Sequence, residues 1–279
     1  MALDNSMNMA WNSLASALAL NLAICLAIAI GVQVLLWLYS ERSKDATIAD
    51  IWWGTGFGCI ALASFIGSRG YGDGTRNMVI VLLTVIWGAR LSIYIRLRSR
   101  KQPEDRRYAA YRHEAAVAGQ SVMRVMFRKV FGIQGLMMWI TSIPIQVGQY
   151  LPAPVGNWFW IGVAVWMAGL AWESVADAQL ARFKRNPDNQ GLPLTSGLWS
   201  LSRHPNYFGD ALVWWGLFLL SCDHPAAWLT IFSPIRMTYR LGYRRSLKLL
   251  EENLLRSRPA YASYVRRTNR FWPWFPKRS

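Results

Sequence analysis

Negative charge is scarce in this sequence. Asp and Glu number 15 against 31 Lys and Arg, a formal net charge of +16, and charged residues fill only 16% of the 279 positions. A soluble domain usually carries about 25%. Cys25, Cys59 and Cys222 have no CxxC spacing and each falls in an apolar stretch, so neither a zinc site nor a disulfide framework is supported. No dinucleotide-binding glycine fingerprint occurs. The run "GTGFG" at 54–58 has apolar residues on both sides and no strand pattern before it, so Gly54 and Gly58 read as close helix packing. No Lys or Arg precedes Arg42. The first apolar run therefore lacks the basic region of a signal peptide, and it exceeds the ~7–15 residues of a signal's apolar core.

Apolar residues are plentiful: 53% of the chain is hydrophobic and 16 residues are Trp. A bilayer span takes ~20 mostly apolar residues. The pattern predicts an all-α polytopic membrane protein of about seven spans, near 14–38, 46–66, 77–95, 130–150, 156–178, 206–222 and 224–243. The whole of 1–279 reads as a single integral membrane domain, with a signature region at about 156–275. The sixth span is short, and the seventh contains Pro234, Arg236 and Arg240. A basic chain can also signal nucleic-acid binding, but the basic residues should then lie on a folded soluble domain, and the long apolar runs argue against a nucleic-acid partner.

Charge sets the expected orientation. All of the 31 Lys and Arg residues except Arg69, Arg76 and Arg90 lie in connections 1–2, 3–4 and 5–6 or from Arg236 onward, which share one side. The positive-inside rule makes that side cytoplasmic, with the N-terminus outside and the C-terminus in the cytoplasm. "NWFW" at 157–160 and "FWPWFP" at 271–276 read as headgroup anchors. The tail "LLEENLLRSRPAYASYVRRTNRFW" is amphipathic and is expected along the cytoplasmic face, among membrane lipids.

Ionisable groups inside spans cost ~2.5–3.5 kcal/mol on insertion scales, so each is a functional candidate. They are Asp50 in "DIWWG", Arg90 in "WGARLSIY", Glu173 and Asp177 four apart on one helical face, and Asp210 one turn into span six. All five fall at a similar depth beside the basic connections, which suggests one polar pocket open to the cytoplasm. The plainer reading pairs them as structural salt bridges, Arg90 with Asp50 for example. Connection 3–4, "RLRSRKQPEDRRYAAYRHEAA", interleaves Glu104, Asp105, Tyr108 and Tyr111 with arginines. Such a run is often a lipid-facing band, but this mixture suits a folded anion site in which Arg96, Arg98, Arg100 or Arg107 reads a phosphate.

The densest polar knot is "WSLSRHPNYFGD", residues 199–210, directly before the apolar run "ALVWWGLFLLSC". Pro205 breaks the chain after His204 and starts a helix near Asn206, which puts Arg203 and His204 at a helix N-terminus that favours an anion. Asn206 offers an amide, and Tyr207 a hydroxyl or a ring for stacking.

"GLWSLSRHPNYFGDALVWWG" resembles the C-terminal signature of the bacterial membrane proteins grouped as DUF1295, within the steroid 5α-reductase superfamily. More distant kin are the sterol reductases and the isoprenylcysteine carboxyl methyltransferases. "WGARLSIYIRLR", "PEDRRY", "ESVADAQLARFKRNPDNQG" and "RPAYASYVRRTNRFWPW" match in the same order, over roughly 45–275. The resemblance implies an NADPH-dependent membrane reductase that acts on the C=C bond of a lipophilic enone, such as a 3-oxo-4-ene steroid, entering from the bilayer. It places Asn206, Asp210, Asp177 and Glu173 at cofactor-binding positions, and Arg90 where an arginine follows the catalytic tyrosine. That tyrosine is absent: Trp87 stands in its place, and "DIWW" occupies the area of the expected Gln-Glu pair. Asp50 is then the best remaining acid. The competing readings are an S-adenosylmethionine-dependent methyltransferase of the isoprenylcysteine type and a non-enzymatic lipid-binding protein. The membrane implied is a bacterial inner membrane, or the endoplasmic reticulum in a eukaryote.

Overall fold

A computed structural model describes residues 2–100, 102–243, 245–257 and 260–276. Within the basic connection and the tail, Lys101, Arg258 and Pro259 lie outside the described residues. The described secondary structure is helical throughout, as the sequence predicts. The α-helices are α1 (Ala2–Ser43), α2 (Ile48–Gly67), α3 (Gly74–Ser99), α4 (Arg106–Val117), α5 (Val122–Met126), α6 (Gly132–Thr141), α7 (Ile143–Gly148), α8 (Asn157–Arg185), α9 (Leu198–Leu201), α10 (Pro205–Leu219), α11 (Phe232–Tyr243), α12 (Arg245–Ser257) and α13 (Tyr261–Arg267). They form two compact units, residues 1–156 with 221–230 and residues 157–220 with 231–279.

Five stretches are long and apolar enough to cross a membrane: Trp11–Ser43, Ile48–Gly67, Gly74–Ser99, Val122–Gly148 and Asn157–Arg185. The first three and the last match the expected spans. The fourth begins at Val122 rather than near 130, because a π-helical turn at Phe127–Phe131 joins α5 to α6 and carries the basic residues Arg128 and Lys129 into the helix. The sixth and seventh expected spans correspond to α10 and α11, of 15 and 12 residues. Both are shorter than the ~20 residues of a full span. Pro205 opens α10, and α11 ends at Tyr243 with Arg240 in its last turn.

In the first unit α2 and α3 meet through glycines, as "GTGFG" suggests. A Cβ on Gly54 would collide with the Gly88 carbonyl, and one on Gly58 would touch Val85. Small residues let helix backbones approach closely where lipid supplies no hydrophobic drive. Arg76, fully buried at the start of α3, donates to the carbonyls of Ala153 (2.6 Å) and Pro154 (2.9 Å) and pairs with Asp223 at 3.5 Å, so the 151–154 segment is capped by one guanidinium. In the second unit α8 and α10 run side by side on glycines seven residues apart. A Cβ added at Gly162 or Gly169 would strike α10 at Leu220 or Val213, and one added at Gly209 or Gly216 would strike α8 at Glu173 or Trp166. That packing aligns the C-terminal half of α8 with the first turn of α10.

Candidate functional site

The first unit builds its polar cluster where α4 docks on the α1–α2 corner. Glu104 accepts from the Ala46 backbone N–H at 2.8 Å, and the Thr47 hydroxyl accepts from the Asp105 N–H at 3.1 Å. Asp105 caps α4 by accepting from the Arg107 N–H. Arg112 ties Glu104 (3.1 Å) to Glu41 (3.0 Å). Tyr108 thereby packs against Ala46, Ala49, Met126, Val130 and Phe131. Its hydroxyl donates to Asp50 Oδ1 at 2.7 Å, and Gln134 Nε2 donates to the Tyr108 oxygen at 3.1 Å and to Asp50 Oδ1 at 3.4 Å. Arg107 closes the cluster with Nη2 on Asp50 Oδ2 at 2.5 Å and Nε on Asp105 at 2.9 Å. Burial works against the Arg107 cation, but the Asp105 hydrogen bond and the Asp50 charge outweigh it and hold the guanidinium protonated. Burial, and then Asp50, push the Tyr108 phenol well above its ordinary range.

This geometry alters three readings. Asp50 accepts from Tyr108, Gln134 and Arg107, so it stands as an acceptor for three donors where the sequence suggested a proton source. Its cationic partner is Arg107 from connection 3–4, where the salt-bridge reading offered Arg90 as the example. Arg107, one of the expected phosphate readers, already has two carboxylates on its half-exposed guanidinium. Arg90 and Arg98 both lie over the Tyr94 ring, at 5.9 and 5.7 Å from its centroid. Arg96, Arg98 and Arg100 are exposed at the end of α3. Trp87 is fully buried with Phe57 at 5.9 Å, a core position on α3.

The second unit carries the other cluster. Glu173 and Asp177 are buried on α8, and Asn206 Nδ2, in the first turn of α10, donates to Asp177 Oδ1 at 3.1 Å. Gly209 makes this possible: its α-carbon sits against the Glu173 backbone with no room for a Cβ. Asp210 is buried one residue on. Tyr207 stacks on His204, with centroids 5.5 Å apart and planes 10° from parallel.

Arg203 and His204 face inward. Arg203 grips Glu251 with Nε on Oε1 at 2.8 Å and Nη2 on Oε2 at 3.2 Å, and its Nη1 donates to the carbonyls of Val265 (3.1 Å) and Thr268 (2.8 Å). His204 Nε2 meets Glu251 Oε1 at 3.1 Å, and Arg270 reaches Oε2 at 2.9 Å. The anion expected at this corner is thus part of the chain itself. Burial opposes the Glu251 charge, but the His204 and Arg203 hydrogen bonds prevail and lower its pKa to about 2. Burial, aided by the Arg203 and Arg270 charges, pushes the His204 imidazolium down. Tyr264 locks the same corner, its hydroxyl donating to the carbonyls of Trp199 at 2.5 Å and Ser202 at 3.2 Å. Sequence reading missed Glu251 and Tyr264. The available signal was an acid between Leu247 and Leu254 on the apolar face of an amphipathic helix.

Asp50, Arg90, Trp87, Arg98 and Arg107 thus belong to the first unit, and Glu173, Asp177, Arg203, His204, Asn206, Tyr207 and Asp210 to the second. A separate cavity of about 340 Å³ lies beyond Asp177, between the end of α8 and the 186–194 loop, lined by Phe183, Lys184 and Leu194 among others. None of the expected site residues lines it.

Helices long and apolar enough for a bilayer, with buried carboxylates and amides among them, define a polytopic membrane protein with polar clusters inside its helical units. The chain belongs to the family described as Protein of unknown function (DUF1295), whose model matches residues 36–268. It is 24% identical over 265 residues to an uncharacterized protein of Schizosaccharomyces pombe, covering 86% of this chain and 76% of the relative. It is 43% identical over 60 residues to a probable O-methyltransferase of Ustilaginoidea virens, 22% of this chain and 21% of the other. It is also 38% identical over 66 residues to a steroid 5-alpha-reductase of Arabidopsis thaliana, 22% of this chain and 25% of the other. The chain thus spans only about a fifth to a quarter of these last two relatives. No solved structure matches.

Proposed function

We propose that this chain is an NADPH-dependent membrane reductase that saturates the C=C bond of a lipophilic enone, with 3-oxo-4-ene steroids as the first class to test. The observation that carries the reading is the Asn206–Asp177 hydrogen bond, held on a glycine-packed helix pair in a chain similar to a steroid 5-alpha-reductase. The Asn206 amide gives one N–H to Asp177, while its carbonyl oxygen accepts from no described residue. An anchored amide with an open acceptor fits a ribose hydroxyl or a carboxamide N–H of a dinucleotide. Asp177, Asn206, Tyr207 and Asp210 would hold the polar end of NADPH, with Glu173 beside them. Bound there, NADPH would supply the hydride for the β-carbon of the enone.

In the first unit the side chain that carries a transferable proton is Tyr108. At rest its one O–H is given to Asp50 and its oxygen accepts from Gln134, so in the reaction Tyr108 would turn that O–H from Asp50 to the substrate oxygen. Negative charge grows on that oxygen as hydride adds, and one well-placed donor to such an oxyanion is worth ~2.7–4 kcal/mol. The substrate reaches the site from the bilayer, and the basic connections face the cytoplasm of a bacterial cell or lie on the endoplasmic reticulum in a eukaryote.

A second reading is an S-adenosylmethionine-dependent methyltransferase, favoured by the 60-residue similarity to an O-methyltransferase. Its cofactor has no phosphate, so this reading gives no reason for a preference between NADPH and NADH. Equilibrium binding of NADPH, NADH and S-adenosylmethionine to detergent-purified protein separates the two. We expect NADPH to bind tightest, and Asn206→Ala and Asp177→Ala to abolish its binding while elution profile and melting transition persist. Preference for S-adenosylmethionine would establish the second reading. Loss of the melting transition in both variants would make the pair structural.

A further inference from the structure

α1 turns one stripe inward, on which Asn21, Cys25, Ala29 and Gln33 recur every fourth residue and are all buried. Asn21 on this stripe is satisfied, donating to the Ser64 hydroxyl at 3.1 Å, and Ser40 near the end of the helix donates to the Trp37 carbonyl at 3.0 Å. Gln33 differs. It is 1% exposed, yet both Nε2 and Oε1 find no hydrogen-bond partner among the described residues. Buried Gln134, Gln146 and Gln149 each leave only Oε1 without one. Burying an amide with neither end bonded is costly, and at membrane depth no bulk water is there to compensate. A leucine would fill the same volume without that cost.

One glycine shapes the contact of this stripe with α6. A Cβ on Gly135 of α6 would lie 2.9 Å from Ile30 Cδ1 and 3.2 Å from both the Ala29 carbonyl and Gln33 Cγ. α1 is also the least enclosed of the candidate spans, with 22% of its apolar window buried against 56% for Val122–Gly148. Most of its surface is therefore open to an apolar molecule from the bilayer, while Trp139 Nε1 on α6 holds it by donating to the Leu22 carbonyl at 2.8 Å. Gln134, next to Gly135, already donates to Tyr108 and Asp50 and keeps its own Oε1 open.

We propose that the α1–α6 seam at Gln33 and Gly135 is a binding site for the oxygen-bearing end of a lipophilic molecule, a hydroxyl or carbonyl group that satisfies the Gln33 amide. Apolar Ile30 and Ala29 flank the body of the ligand, and the amide selects its polar end. The site goes beyond the proposed reductase activity and does not depend on it, because neither NADPH nor any residue of the Asn206 cluster takes part.

The test uses the full chain in nanodiscs without any cofactor, with a diazirine-bearing cholesterol as probe and mass spectrometry of the labelled peptides. We expect label within 24–40 and 132–141, displaced by cholesterol about 3- to 10-fold better than by cholestane, which lacks the hydroxyl, as befits one net hydrogen bond. Gln33→Leu should erase that preference while melting no lower than the parent. Label elsewhere overturns the proposal, and so does equal displacement by cholestane, the result expected if the amide meets only a bound water. A Gln33→Leu variant that melts several degrees lower also overturns it, since the amide would then be satisfied within the fold. Loss of NADPH binding alone would touch only the reductase reading.

Discussion

Replacing Glu251 by Gln tests whether the polar corner before α10 is a structural clamp or a ligand site. The carboxylate of Glu251 meets Arg203 at 2.8 Å, His204 at 3.1 Å and Arg270 at 2.9 Å, with 8% of its side chain exposed. Its pKa falls from 4.5 to about 2, and at about 1.4 kcal/mol per pKa unit this is about 3 kcal/mol of coupling. A glutamine amide at this position would keep the shape but would present an N–H to donors. We expect Glu251→Gln to cost about 2–3 kcal/mol near neutral pH, short of the ~3–5 kcal/mol for a fully buried pair broken on one side. For a chain of this size that lowers the melting temperature by about 3–5 °C. Differential scanning fluorimetry in detergent reads it directly. The sign of the pH dependence follows from a depressed carboxylate. The stabilisation is full above pH 4.5 and is lost as pH falls toward about 2, so the gap between parent and variant should stay constant above 4.5 and close below it. His204, pushed below 6.5, adds a loss in the same acid direction. A variant that melts within about 1 °C of the parent at neutral pH would refute the clamp. Arg203 and His204 would then be available to an incoming anion, as the sequence suggested.

Two further outcomes bear on function and topology. Alanine at Arg96, Arg98 or Arg100 should weaken NADPH binding by about 1.5–3 kcal/mol at the residue that reads the 2′-phosphate, with NADH unchanged, whereas Arg107→Ala should lower stability and turnover without altering cofactor preference; isothermal titration checks both, and unaltered preference in all three end-of-α3 variants would remove the phosphate-reader reading. Cysteines introduced at exposed Arg69 and Gln190 should label with an impermeant maleimide from opposite faces of sealed vesicles, and labelling from one face would overturn the proposed orientation.

The helical class and the five long apolar stretches were legible in the sequence because they follow from local composition. Hydrocarbon demands a continuous apolar run with its backbone bonded internally, and that demand is written residue by residue. The glycine contacts of α2 were legible for a related reason, since small residues in an apolar run have few roles other than close approach. The same logic singled out Asp50, Arg90, Glu173, Asp177 and Asp210, because ionisable groups are conspicuous among apolar neighbours. Their partners were not legible. Asp50 meets Tyr108 across 58 positions and Gln134 across 84, and Arg203 meets Glu251 across 48. Charge type says that an arginine needs an anion, but only the packing of helices distant in sequence decides whether that anion is a ligand or Glu251. Tertiary structure likewise made Asp50 an acceptor, shortened α10 and α11 below a full span, and left the Gln33 amide without a hydrogen-bond partner among the described residues. Each of these depends on which faces the helices turn toward one another, a choice set by many weak contacts at once and by no single stretch of the chain.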